Sequence, residues 1–127
     1  MYDPLTIPFG AKMLFNAVKL KPGVSPEDVE LALGEMCNVV KNTYGDEAGG
    51  FLGGQVFKAD GFISEEGSFA TDQAVGYDIA IVTYWRSFEQ HERSHADKVF
   101  KEKFAALMTH CSEAFEIGLT MLWQGQP

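Results

Sequence analysis

The sequence predicts an α+β fold, a ferredoxin-like sandwich with elements in the order β-α-β-β-α-β. Three observations predict it: two segments with strand periodicity flank an amphipathic helix, the same pattern returns in the second half, and no repeat or linker interrupts the order. The 127 residues, 46% hydrophobic and 22% charged, are the usage of one globular domain spanning 1–127, long enough to build a single core without staples.

Residues 1–10 carry Pro4 and Pro8 and read as an extended arm, since each proline removes a backbone donor and biases its neighbour away from helix. From Lys12 to Lys21, Met13, Phe15, Ala17 and Leu20 come close to alternation, so the first strand falls there. Pro22-Gly23 turns the chain. Ser25 can then cap a helix, with Pro26 at its first position, Asp28 reaching back and Val24 packing on Val29. Val29, Leu33, Met36, Cys37, Val40 and Tyr44 form its apolar stripe, and Gly45 ends it.

The stretch 49–59 returns to strand character but is broken by glycines, which points to a bulge or a close backbone approach. Residues 60–75 are acidic and aperiodic and are expected to form a long loop, the natural place for a lid. Gly76 to Trp85, rich in β-branched and aromatic residues, is the clearest strand. Ser87 is expected to cap a long helix running to about His110 and carrying Phe88, Val99, Phe100, Phe104, Leu107 and Met108. Phe115 to Trp123 closes as the fourth strand.

Right-handed crossovers deliver both helices to one face of the sheet and leave the other bare. Sixteen aromatic residues are more than two helices need to cover. A second copy pairing through the sheet faces, a homodimer closing an α+β barrel, is therefore the expected assembly. A net charge of −8 repels phosphate backbones and anionic lipid, so neither nucleic acid nor membrane is an expected partner, and a small molecule is. The start of the chain lacks the basic and apolar stretches of a secretion signal, and Cys37 and Cys111 are too few for a disulfide framework. The cytoplasm, with both thiols reduced, is the expected location.

Chemistry concentrates in His91-Glu92-Arg93-Ser94-His95. Spacing of four puts both imidazoles on one helix face, one turn apart, where they can share a metal ion. The run also satisfies H-E-x-x-H, but the polar Arg93 and Ser94 at its middle positions argue against a buried zinc-protease helix. An alternative without an ion packs the histidine face beside Phe88 and Val99. A metal held facially needs a third ligand, and Glu113 or Glu116 can supply it; Glu113 is expected to precede the strand and Glu116 to lie within it, so only one points inward. His110 is better placed as a helix-end residue favoured by the dipole than as a ligand.

The run from Tyr84 through His95, with Phe100, Phe104, Cys111 and the segment Ser112 to Ile117, resembles the iron-binding segment of sulfur oxygenase reductases. Cys37, with Gly50-Phe51-Leu52-Gly53 after it, resembles that family's active-site cysteine and the turn that follows. The resemblance implies a mononuclear non-haem iron held by His91, His95 and Glu113, with Cys37 as catalytic sulfur carrier and a sulfur compound as substrate. The cofactor it implies is thus a divalent metal, Fe before others. Val18 to Ser25 is also similar to the wider dimeric α+β barrel superfamily, which includes stress-responsive barrel proteins and cofactor-free monooxygenases of antibiotic biosynthesis. Three functions follow as expectations: a metal-dependent oxygenase, a cofactor-free monooxygenase, and a non-catalytic binding dimer.

Overall fold

A computed structural model describes residues 2–70 and 76–127. Four strands, β1 (Lys12–Leu20), β2 (Phe51–Lys58), β3 (Ile79–Trp85) and β4 (Cys111–Thr120), form one antiparallel sheet in the order β2-β3-β1-β4. Helix α1 (Glu30–Tyr44) connects β1 to β2, while α2 (Phe88–His95) and α3 (Lys98–Met108) connect β3 to β4. This is the expected ferredoxin-like α+β topology.

A strand sends successive side chains to opposite faces, and burial identifies which face meets the helices. Leu14, Val18 and Leu20 of β1 and Ile79, Ile81 and Trp85 of β3 are all buried. They pack against Leu33, Met36 and Val40 of α1 and Leu107 of α3. The opposite face carries Phe57 of β2 and Phe115, Ile117 and Leu119 of β4, which are 52%, 60%, 47% and 40% exposed. That face is the bare one expected from the connectivity.

Local signals explain most boundaries. Asp28 Oδ2 accepts from Ser25 N at 2.8 Å, and a 3-10 turn at Pro26–Val29 leads into α1. The glycine-rich β2 contains the expected irregularity, a register shift between Phe51 and Gly53. A Cβ at Gly53 would stand 3.2 Å from Leu5, so the amino-terminal arm crosses the sheet where that side chain is missing. Gln124 Nε2 donates to Ile7 O at 2.9 Å and ties the segment after β4 to the arm. Residues 59–70 carry neither helix nor strand, in line with the expected loop, and the rest of that loop, 71–75, lies outside the described residues.

Two expectations are corrected. The long second helix is two helices, because Asp97 restarts the chain: its Oδ1 accepts from Phe100 N at 2.9 Å and its Oδ2 from Tyr44 Oη at 2.8 Å. The redirected axis buries Leu107 completely and leaves Val99 49% and Phe104 42% exposed. The fourth strand starts at Cys111 rather than Phe115, so Glu113 lies inside it.

Trp85, 1% exposed, ends β3 and packs edge-on against Phe51 at 5.4 Å and His91 at 5.3 Å between ring centroids. Its Nε1 donates to Thr83 Oγ1 at 2.9 Å. Trp85→Ala opens a cavity between sheet and helices and is expected to cost about 3–5 kcal/mol of unfolding free energy in a urea titration.

Candidate functional site

The turn after β3 sets the site. Ser87 caps α2, its hydroxyl accepting from Gln90 N at 3.1 Å, and Gln90 Nε2 donates to the carbonyls of Glu47 and Ala48 at 3.2 and 3.1 Å. Those bonds hold α2 against the segment before β2 and turn its histidine face towards β1 and β4. His91 is 3% exposed against Trp85, while His95, one turn later, opens to solvent with its side chain 38% exposed. The two rings meet edge-on with centroids 4.3 Å apart, as spacing of four requires. His95 also stacks on Phe100, 9° from parallel at 5.3 Å, and Phe100 stacks on Phe104 at 6.0 Å.

Ser94 and Arg93, whose polarity argued against a buried zinc-protease helix, have separate roles. Ser94 is buried, its hydroxyl donating to His91 O at 2.6 Å, and Arg93 turns outward to Glu89. The polar middle of the run is thus satisfied on the helix itself.

The carboxylate that meets the histidines is Glu116. Its Oε2 lies 3.2 Å from His91 Nε2 and its Oε1 3.7 Å from His95 Nε2. Since a carboxylate only accepts, His91 Nε2 donates in the shorter contact. His91 Nδ1 lies 3.2 Å from Glu92 Oε1, but Glu92 is 69% exposed and water competes for it. His91, Glu92, His95 and Glu116 each bring one donor atom within 4.8 Å of the others.

Glu113, named from the sequence as the third ligand, is not in this group. Three residues along a strand reverse the face. Glu116 shares the helix side with Gly118, at which a Cβ would stand 2.8 Å from the Phe88 ring, whereas Glu113 lies on the bare side directly opposite Lys19. The clue available in the sequence was parity: once the strand starts at Cys111, only one of the two glutamates can face α2.

Cys37 is also outside the cluster. It sits on the inward stripe of α1 against the main core, as its position on the helix requires. Burial pushes its thiol up, away from the thiolate that nucleophilic sulfur chemistry needs. Cys111 packs on the same core, its thiol likewise raised by burial.

Electrostatics divides the roles within the cluster. Burial pushes Glu116 up, but the hydrogen bond from His91, the charges of His91 and His95, and a hydrogen bond from Asn16 outweigh it and hold the carboxyl below its usual range. Glu116 is therefore an anion at neutral pH. Burial, helped by the charge of His91, lowers His95 against the opposing pull of Glu116 and Glu92, so its ring is neutral there and can take a proton. A shallow hollow of about 270 Å³ lined by His95, Phe100, Lys101 and Phe104 gives access to it. On β4 the neighbours of Glu116 on the same face, Ala114 and Gly118, are small, and the Phe88 ring lies over Gly118.

No family profile matches the chain, and no curated relative matches its sequence. Its fold is matched by solved structures. The hydroxynitrile lyase of Passiflora edulis superposes with a TM-score of 0.66 at 10% identity, covering 94% of this chain and 100% of that one. SnoaB, a cofactor-independent oxygenase from Streptomyces nogalater, gives 0.66 at 11% identity over 91% and 96%. A dimeric ferredoxin-like protein of unknown function from Thermobifida fusca gives 0.60 at 9% identity over 95% and 100%. The chain shares the ferredoxin-like fold of dimeric α+β barrel proteins. No helix among the described residues is long and apolar enough to cross a membrane.

The lowered histidine and carboxyl values make acid destabilising. An unfolded chain binds a proton at His95 below the usual histidine value of 6.5, before the folded chain does, and at Glu116 below about 4.5. Stability is expected to fall in two stages as pH drops through these ranges. In metal-free protein the His95 ring should titrate below 6.5 by NMR; a midpoint above it contradicts the assignment.

Proposed function

We propose that this chain is a small-molecule enzyme of the dimeric α+β barrel type that works by acid–base chemistry at His91, His95 and Glu116 without a bound cofactor, its reaction being of the oxygenase class. One observation carries the reading: a carboxylate held anionic faces two imidazoles, of which the outer is neutral and opens to a hollow. His95 takes a proton from the substrate, and Glu116 and the stacked Phe100 hold the imidazolium that results. His91, buried against Trp85, orients Glu116. An acidic C–H losing its proton here leaves an electron-rich anion, which can pass electrons to dioxygen directly. SnoaB, described as a cofactor-independent oxygenase, has the same fold, and that likeness supports the reaction class without specifying a substrate.

A second reading is favoured by a specific geometry. Both histidine Nε2 atoms face the one carboxylate, and the Nδ1 of His91 faces a second, as metal-bound histidines pass their other nitrogen to an acceptor. His91, His95 and Glu116 would then hold one small divalent ion, iron(II) among the candidates, which would supply Lewis-acid or redox chemistry. In that reading the likeness to sulfur oxygenase reductases points to a sulfur compound as substrate. A raised, core-packed Cys37 thiol gives no support to the sulfur-carrier role.

We further propose a homodimer through the bare sheet face. Phe57, Phe115, Ile117 and Leu119 leave an apolar surface there that a second copy would cover.

Elemental analysis of protein purified without chelator or affinity tag separates the two readings. A metal content near zero, with turnover that survives chelator, is expected; about one metal per chain, lost in His91→Ala, moves the assignment to the metal centre. His95→Ala should lower turnover by about 10²–10⁴-fold while the chain stays folded; turnover retained in that variant removes His95 from the chemistry, and a wild type without turnover leaves the binding-dimer role. Light scattering should give twice the chain mass at micromolar concentration.

A further inference from the structure

The helix-facing positions of β1 are Lys12, Leu14, Asn16, Val18 and Leu20; Leu14, Val18 and Leu20 are core residues with 5%, 2% and 6% exposure, and Lys12, at the start of the strand, lies over the Phe88 ring. Between the core residues Asn16 is the polar exception. An asparagine is disfavoured in a strand and doubly so on a face that meets a core, and its amide there needs partners for every N–H it buries. One is provided by the neighbouring strand: Asn16 Nδ2 donates to Ile81 O on β3 at 3.2 Å. That bond decides which end of the amide is nitrogen and directs one of its two hydrogens to β3.

The other hydrogen is turned to the opposite side. β1 lies between β3 and β4, and the register places Asn16 directly across from Glu116. The Cβ atoms of such a pair stand about 4.5–5.5 Å apart, within reach for an amide and a longer carboxylate, and the Asn16 amide is among the groups that hold the Glu116 carboxyl below its usual range. Glu116 has little else on its own strand to hold it. β4 is an edge strand, and Ala114 and Gly118 offer no polar group. A long, flexible side chain in that position gains rotamer entropy by turning to water.

We infer that Asn16 is a positioning residue of the site: its amide, tethered to Ile81 O, holds Glu116 in the one orientation that faces both His91 and His95. Two strands and a helix thereby converge on one carboxylate. The catalytic purpose of this arrangement rests on the proposed acid–base reading, but the positioning itself is observable without turnover, so the two can fail separately.

The test replaces Asn16 by Leu, which suits the surrounding core, and by Asp, which keeps the shape but replaces the amide donor by a second anion. The readout is the ring Nε2–H proton of His91 by NMR after dialysis against chelator. In the wild type it should be protected from solvent exchange by its bond to Glu116 and the enclosure of the ring. Asn16→Leu should speed its exchange at least tenfold or broaden it beyond detection while the protein melts at or above the wild-type temperature. Asn16→Asp should do the same and serves if the Leu variant does not fold. A purely structural Asn16 would change the melting temperature and leave the His91 proton as it is in both variants, and that result overturns the inference.

Discussion

The enclosure of Trp85 is the constraint on which the rest of this structure depends. The indole ends the strand that carries the sheet into its second crossover, and it is touched from three directions, by Phe51 of β2, by the Leu14 and Val40 cluster, and by His91 of α2. A buried ring of this size stabilises by its area and by edge-to-face contacts of about 0.5–1.5 kcal/mol each. More to the point, it allows α2 only one approach to the sheet. With His91 as one wall of the tryptophan's enclosure, the imidazole belongs to the core as much as to the site, and His95 is carried one turn further out, to the rim.

That double membership explains the asymmetry between the two histidines. His91 exchanges its solvent for Trp85 and a carboxylate, so what it contributes is orientation. His95 keeps solvent on one side and aromatic rings on the other, and this half-desolvated setting lowers its proton affinity. A carboxylate between an enclosed and an exposed imidazole is an arrangement in which a proton taken up at the rim is stabilised from within. The same three side chains are a ready donor set for a divalent ion, because metal ligands and proton acceptors are the same lone pairs. Only a measured metal content distinguishes the two uses.

Much of this was legible in the sequence, and the reasons are physical. Periodicity gave the element order, since the two apolar repeats differ by nearly a factor of two and cannot be confused over eight or more residues. The histidine pair was legible because spacing of four on a helix fixes a shared face whatever the surroundings. The break at Ala96–Asp97 was not, because the apolar repeat runs on across it and part of what holds the Asp97 carboxylate, the Tyr44 hydroxyl, comes from a segment distant in the chain. Glu113 and Glu116 were equally available on paper. Choosing between them needed the strand's first residue, which Cys111 sets by its pairing with Leu20, a contact between distant segments.

Asn16 was missed for the related reason that a single polar residue in a strand reads as an outward position. Near-alternation along β1 was assigned from Met13, Phe15, Ala17 and Leu20, which puts the odd positions inside for most of the strand. The structure places Leu14, Val18 and Leu20 in the core and leaves Met13 and Phe15 on the bare side. Both faces of β1 are apolar because it is a central strand with helices on one side and, in the proposed assembly, a second sheet on the other. In such a strand period two loses its power to tell inside from outside. The informative residue is then the polar one: half-buried on a face otherwise given to core residues, Asn16 bonds Ile81 O and stands directly across from Glu116, and that placement points to what it is for.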